Sequence, residues 1–172
     1  MTLSEISLPV FVQMLNAVSA IVDKAAKHAA DRKYDPASLL QARLFPNMYT
    51  FARQIQAMCD WPIQAISLTT GKPAPKLAAS DATFADLKTR LDATLAYIQA
   101  ADIAAYDAAA ETVFDVSTPA AKRSQKGKDF VLHRVLPQFY FHVTTAYAIL
   151  RHNGLDLSKG DFMGKVPGVK TK

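Results

Sequence analysis

Hydrophobic residues recur every three or four positions along four stretches of the chain, which is the pattern of amphipathic helices packed around a shared core. Pro46 and Pro137 suit the first turns of the second and fourth helices, while Gly71 and Gly154 suit their ends. The predicted helices cover residues 8–30, 46–71, 83–100 and 137–154. The pattern therefore predicts an all-α protein with four long helices.

The pattern changes between the third and fourth helices. Residues 111–117 (ETVFDVS) and 129–136 (DFVLHRVL) are rich in β-branched and aromatic side chains and partly alternate between apolar and polar positions. A polar loop that contains Gly127 separates them. This arrangement predicts a small β-hairpin before the fourth helix, in a four-helix bundle.

Length and composition indicate one globular domain. The chain has 172 residues, of which 50% are hydrophobic and 20% are charged. We expect a single domain over residues 1–164 and a flexible basic tail over residues 165–172. No uninterrupted apolar run reaches the ~20 residues of a membrane helix, and the N-terminal stretch lacks the features of a secretory signal. A cytoplasmic location without membrane association is therefore expected.

The chain has a single cysteine, Cys59, which cannot form an intramolecular disulfide. We interpret it as a packed thiol, with a reactive nucleophile as the alternative.

Positive charge is concentrated near the C-terminus. Residues 1–117 contain 10 Lys and Arg against 12 Asp and Glu, whereas residues 118–172 contain 10 against 3. Such asymmetry can mark a nucleic-acid surface. The basic residues lie mainly in the loop 120–128 and in the tail, without the interleaved aromatic residues that stack on bases. A solvated loop and tail is the preferred interpretation, and nucleic-acid binding remains an alternative.

Helical geometry distinguishes one histidine from the other three. At ~100° per residue, His142 lies at the edge of the apolar stripe of the fourth helix, with Gln138 and Thr145 on its polar side. Gln54 occupies the same kind of position on the second helix, with Trp61 close to it. If these edges face each other, a small-molecule pocket is lined by residues Gln54, Trp61, Gln138, His142 and Thr145. The alternative is that His142 is a structural histidine with a hydrogen-bond partner.

The segment LPQFYFHVTTAYAILRHNGLDLSKGDFMG, residues 136–164, resembles an uncharacterised bacterial family within the DinB/YfiT-like superfamily. The resemblance covers nearly the whole chain. It implies an up-down four-helix bundle that often forms homodimers. It also implies a divalent-metal site in many members, formed by one histidine on the second helix and an H-x-x-x-H pair on the fourth. Some relatives are metal-dependent thiol transferases or isomerases.

The resemblance assigns only one of the three metal-ligand positions to a histidine. Arg151 and Gly154 match the R-x-x-G helix end of the superfamily, so His142 corresponds to the second histidine of the pair. Gln138 then takes the first position and Gln54 takes that of the second helix. Because a neutral amide oxygen is a poor ligand for zinc or nickel, only weak divalent-metal binding through His142 is expected.

The sequence thus predicts a metal-free DinB-like homodimer, without a cofactor, that binds an unidentified small molecule near His142. One alternative is a metal- or thiol-dependent transferase or isomerase in which His142 is a ligand or the candidate catalytic base. The other is a nucleic-acid-binding protein that uses the basic C-terminal third.

Overall fold

The computed structural model describes residues 1–78 and 81–169. Four long helices dominate it, and shorter elements connect them. The helices are α1 (Leu3–Arg32), α2 (Pro36–Leu40), α3 (Phe51–Thr70), α4 (Phe84–Gln99), α5 (Ile103–Ala108), α6 (Gly127–Phe130), α7 (Leu136–His152) and α8 (Lys159–Met163). The strands are β1 (Val113–Asp115) and β2 (Ser124–Lys126). A 3₁₀ turn, Ala109–Glu111, precedes β1, and a π-helical turn, Val131–Val135, joins α6 to α7.

The four long helices pack around one hydrophobic core. Helix α3 contacts both α7 and α4, and α1 contacts both α4 and α7. Apolar side chains from all four helices are fully or almost fully buried, including Phe11, Leu15, Phe51, Ile55, Met58, Leu87, Leu91, Phe139, Val143 and Ile149. The predicted all-α four-helix bundle with a small hairpin before the last long helix is confirmed.

The predicted starts of the first two helices differ from the structure. Helix α1 begins at Leu3, where the side chain of Thr2 accepts a hydrogen bond from the backbone of Glu5, and the Glu5 carboxylate accepts one from the backbone of Thr2. Helix α3 begins at Phe51 rather than near Pro46, because Thr50 caps it. Side-chain caps satisfy the free N–H groups of a first turn, so they set these starts more strongly than the apolar pattern does.

The predicted second strand is wrong. Strand β1 pairs antiparallel with β2, so Phe114 lies opposite Gln125. Residues 129–136 are instead helical and continue directly into α7. Val131 and Val135 are both fully buried and lie one wide helical turn apart. β-branched residues are tolerated in a helix when tertiary packing buries them, and here that packing overrides their strand preference.

The π-helical turn lies immediately before a proline. In this turn the N–H of Leu136 donates to the carbonyl of Val131, five residues back. Pro137 has no N–H, and in a regular α-helix its ring would crowd the carbonyl of His133. A widened turn relieves this crowding, so the helix runs through Pro137 instead of starting there.

Gly127 begins the helical segment where two pieces of backbone meet. Its N–H donates to the carbonyl of Thr112 at 2.9 Å, which ties the end of β2 to the 3₁₀ turn. A Cβ at this position would overlap the carbonyl oxygen of Ala109 and would lie 3.3 Å from the ring of Phe114. The absence of a side chain therefore permits the close approach between the hairpin and the 3₁₀ turn.

A buried ion pair fixes the connection between α3 and α4. Arg90 Nε donates to Asp81 Oδ2 at 2.6 Å, and the two side chains are only 6% and 1% exposed. The same carboxylate oxygen accepts from Gln56 Nε2 at 3.0 Å. Arg90 also donates to the carbonyl of Ala78. The pair thus connects α3, the segment before α4 and α4 itself.

Helix α1 is long and apolar enough, by length and composition, to span a membrane. Its most apolar 18-residue window has a mean hydropathy of 1.6, but 50% of that window is buried inside the bundle. Burial of this extent is typical of a core helix, whose apolar face is covered by its neighbours.

We predict that Gly127→Ala destabilises the fold by about 1–3 kcal/mol, because the added methyl group overpacks the contact with Ala109. Urea unfolding followed by circular dichroism measures the change. Gly160→Ala is the matched control, since its Cβ would meet only the Ser158 hydroxyl, at 3.2 Å. An equal loss of stability in both variants would contradict the proposed packing constraint.

We also predict that Asp81→Ala lowers the free energy of unfolding by about 3–5 kcal/mol, because it leaves the buried Arg90 guanidinium without its carboxylate. The control is Asp31→Ala, which breaks the exposed pair with Lys27 and is expected to cost about 0–1 kcal/mol. The double variant Asp81→Leu with Arg90→Met should recover most of the loss. If Asp81→Ala is no more harmful than Asp31→Ala, the pair does not hold the connection.

Candidate functional site

Helices α3 and α7 bring together a glutamine and a histidine at the edge of the core. His142 Nδ1 lies 2.7 Å from Gln54 Oε1, and both residues are buried. The imidazole stacks on the ring of Tyr49, with 6.1 Å between ring centroids. Phe141 contacts its edge, with 5.3 Å between centroids. The histidine ring is therefore held in one orientation by a hydrogen bond and two aromatic neighbours.

The second hydrogen bond of Gln54 determines where the imidazole proton lies. Gln54 Nε2 donates to the carbonyl of Tyr49 at 3.3 Å. A carbonyl can only accept, so the amide nitrogen must face Tyr49 and the amide oxygen must face His142. The Nδ1 atom of His142 consequently carries the proton, and Nε2 carries a lone pair.

The Nε2 atom of His142 is reached by solvent. It makes no hydrogen bond to residues 1–78 or 81–169, and no side-chain nitrogen or oxygen in these ranges is both buried and without a partner. Burial and the nearby Arg53 guanidinium lower the pKa of His142. The imidazole is therefore neutral at neutral pH, and Nε2 is a hydrogen-bond acceptor and a potential proton acceptor.

A cavity of about 370 Å³ opens beside this imidazole. Its walls come from the segment before α3, from one face of α3 and from α7. The lining residues are Tyr49, Arg53, Ala57, Asp60, Trp61, Gln64, Gln138 and His142. We call this cavity the His142 cleft. It combines two aromatic rings with charged, amide and imidazole groups, so polar groups predominate in its lining.

The charged groups of the His142 cleft form a loose pair on its rim. Arg53 Nη1 lies 3.6 Å from Asp60 Oδ2 and donates to Gln56 Oε1 at 3.0 Å. The guanidinium also lies over the ring of Tyr49, 5.2 Å from its centroid. Partial burial raises the pKa of Asp60, and Arg53 partly offsets this. The rim thus offers one cation and one anion that can both reorient toward a ligand.

The predicted pocket residues occupy three different places. Trp61, Gln138 and His142 line the cleft. Gln54 lies behind the imidazole and holds it. Thr145 is buried, but its hydroxyl donates to the carbonyl of Phe141 at 2.7 Å, and it is not among the residues that line the cleft. The hydroxyl of Thr145 is thus bonded to its own helix, and the residue does not form a wall of the cleft.

Four polar or aromatic residues of the cleft were missed by the sequence reasoning: Tyr49, Arg53, Asp60 and Gln64. Arg53, Asp60 and Gln64 follow one another at intervals of seven and four residues, which places them on one face of α3. Ala57 lies on the same face and leaves room there. This polar stripe on α3, with one small residue in it, was the sequence signal that could have indicated the cleft. Tyr49 precedes the helix, so helical periodicity could not have identified it.

The residues of the cleft do not fit a divalent-metal site of the superfamily type. Gln54 directs its oxygen to Nδ1 of His142, so that oxygen is already used. Gln138 offers only a neutral amide. Across residues 1–78 and 81–169 no group of three or more His, Cys, Asp and Glu side chains is arranged to hold a metal ion. His142 is the single imidazole that lines the cleft, and the Asp60 carboxylate faces Arg53, 3.6 Å from its Nη1 atom.

Cys59 does not contribute a reactive thiol. It is fully buried in α3, and burial raises its pKa to about 12. Because the thiolate is the nucleophilic form, a thiol that stays protonated at neutral pH is inert. The prediction of a packed thiol is confirmed.

Comparisons with known proteins agree with the fold. The profile of a domain of unknown function, DUF1993, matches residues 3–163. The chain is also similar to a crystal structure described as a DinB family member protein from Shewanella denitrificans. The sequence identity is 34%, the match covers 98% of this chain and 96% of that chain, and the TM-score is 0.89. No protein with a curated description is significantly similar to the chain. The chain therefore belongs to the DUF1993 family, an uncharacterised family with the DinB-like fold.

Proposed function

We propose that this protein binds a small aromatic molecule in the His142 cleft, through a hydrogen bond that the ligand donates to Nε2 of His142. The observation that carries the proposal is the fixed imidazole, whose Nδ1 is held by Gln54 at 2.7 Å while Nε2 faces solvent. A buried histidine that served only the fold would not need an accessible acceptor. An acceptor held in one orientation loses little conformational entropy when a ligand binds.

The walls of the cleft support an aromatic ligand of modest size. A volume of about 370 Å³ lies near the lower end of the range for small-molecule pockets. Tyr49 and Trp61 provide two aromatic surfaces, and aromatic rings pack favourably in stacked or edge-to-face arrangements. Gln64 and Gln138 add groups that can both donate and accept hydrogen bonds.

The donor set argues against the metal-dependent alternative. One imidazole, an exposed amide, an amide that is already engaged and a carboxylate that faces Arg53 are a weak combination for zinc or nickel. We therefore propose that ligand binding does not use a resident metal ion, and that His142 acts as a hydrogen-bond acceptor.

Ligand binding in the His142 cleft can be measured by the fluorescence of Trp61, because it is the single tryptophan of the chain and it lines the cleft. A set of small aromatic compounds can be titrated while the Trp61 fluorescence is recorded. We predict that binders change this fluorescence, and that His142→Ala weakens them about tenfold, since one hydrogen bond to the ligand is worth about 1 kcal/mol or more.

The matched control is His152→Ala, which removes an exposed histidine in the last turn of the same helix. It should leave the affinity unchanged. Gln138→Ala changes an exposed residue of the cleft and provides a second variant if His142→Ala unfolds. Binders whose affinity is the same in the wild type, His142→Ala and Gln138→Ala would contradict the assignment of the cleft.

A metal titration gives a separate prediction. We expect calorimetry with zinc or nickel to show no stoichiometric tight binding to the wild-type protein, because the donor set is incomplete. The double variant Gln54→His with Gln138→His should gain metal binding, since it supplies a second and a third imidazole beside His142. Tight, His142-dependent binding to the wild type would overturn the metal-free proposal.

A further inference from the structure

A second cavity, of about 600 Å³, adjoins the His142 cleft and is rich in cationic and hydrogen-bonding groups. It lies between the hairpin and the π-helical turn. The residues around it are Val116, Arg123, Ser124, Gln125, His133, Arg134 and Gln138. Every polar side chain in this set can donate a hydrogen bond, and none is a carboxylate. We call it the hairpin pocket.

The two guanidinium groups of the hairpin pocket are not neutralised by neighbouring carboxylates. Within residues 1–78 and 81–169, neither Arg123 nor Arg134 forms an ion pair. By contrast, the nearby Lys126 and Lys128 both bind Glu111, at 2.8 and 2.5 Å. These two lysines thus share one carboxylate, while the charges of Arg123 and Arg134 are left at the pocket.

The backbone at Arg123 and the guanidinium of Arg134 are held in place by neighbouring groups. The backbone N–H of Arg123 donates to the Ser117 hydroxyl at 2.9 Å, which fixes the loop beside β2. Arg134 Nη1 donates to the carbonyl of Val116 at 3.3 Å. A guanidinium has five N–H donors, so Arg134 retains most of them for a ligand. The pocket thus presents one positioned guanidinium, that of Arg134, and a second on an exposed side chain whose backbone is fixed.

Two contacts join the hairpin pocket to the His142 cleft. Gln138 lines both cavities. The guanidinium of Arg134 lies 6.0 Å from the ring centroid of Trp61, and that ring is a wall of the cleft. A molecule whose ring lies on Trp61 therefore has a cation next to it, at the side of the hairpin pocket.

We infer that the ligand of the His142 cleft is an aromatic oxyanion, whose phosphate or carboxylate group is bound in the hairpin pocket by Arg123 and Arg134. This inference rests on the proposed function and extends it from an aromatic ligand to an aromatic anion. Guanidinium groups match phosphate and carboxylate oxygens in geometry and charge. His133, Ser124 and Gln125 supply further donors for the remaining oxygens.

The test uses 4-hydroxyphenyl phosphate as the anionic probe, since its phenolic hydroxyl can donate to Nε2 of His142, and phenol as its uncharged analogue, with the full chain observed by two-dimensional NMR. The anionic probe should shift the Trp61 indole signal and the backbone signals of residues 123–125, and it should bind at least tenfold more tightly than phenol. Its affinity should fall as salt concentration rises, because ions screen the arginines. Equal affinities for the two compounds would overturn the inference.

Arg123→Gln and Lys122→Gln form a matched pair, since they remove one positive charge from adjacent exposed positions and only Arg123 lines the hairpin pocket. Arg123→Gln should weaken binding of 4-hydroxyphenyl phosphate about tenfold, and Lys122→Gln less than twofold. Equal weakening by the two variants would mean general charge attraction and would overturn the inference. 4-Hydroxybenzoate in place of 4-hydroxyphenyl phosphate distinguishes a preference for carboxylate from one for phosphate.

His142→Ala separates a failure of this inference from a failure of the proposed function. The inference predicts that 4-hydroxyphenyl phosphate is weakened by both Arg123→Gln and His142→Ala. If phenol binds in a His142-dependent way and the phosphate group adds no affinity, the anion pocket is wrong while the assignment of the cleft stands. If 4-hydroxyphenyl phosphate depends on Arg123 but not on His142, the cleft assignment fails, and with it the inference of a shared ligand.

Discussion

The packing of α3 against α7 is the interaction on which the rest of the structure depends. Helix α3 lies between α7 and α4 and buries apolar side chains such as Ile55, Met58 and Ile66 against them. At one edge of this contact the apolar packing gives way to the bond between Gln54 and His142. Because buried polar groups are stable only when they are paired, this bond completes the core and orients the imidazole. The same contact thus provides stability and a candidate site.

The candidate site is organised in two layers. Gln54 and the carbonyl of Tyr49 lie behind the imidazole and determine its tautomer, while Arg53, Asp60 and Trp61 lie in front of it and face the cavity. Support of this kind reduces the freedom of the group that meets the ligand. Because Gln54 accepts the proton of Nδ1, a glutamine at position 54 suits a hydrogen-bonding role for His142 better than a metal-ligating role.

Much of the fold could be predicted from the sequence, because the apolar periodicity of four long helices is a strong signal. The periodicity also placed His142 and Gln54 at core edges. It could not reveal the helical state of residues 129–136, since the burial of Val131 and Val135 comes from tertiary contacts that a local pattern does not contain. Nor could it identify Arg123 and Arg134 as neighbours, because their proximity depends on the hairpin.

The homodimer stays a prediction. The exposed ring of Phe141 is an apolar surface that a second copy could cover.

The π-helical turn at Val131–Val135 is a position where a change in chain length would alter the arrangement of the two cavities. A turn of this kind corresponds to one residue more than a regular α-helix needs. Loss of a single residue there would restore the α-helical register and rotate everything before it by ~100° about the helix axis. Arg134 would then leave the side of Trp61, while His142 would keep its place on α7. A one-residue change in length can therefore separate two neighbouring cavities without altering any of the side chains that line the His142 cleft.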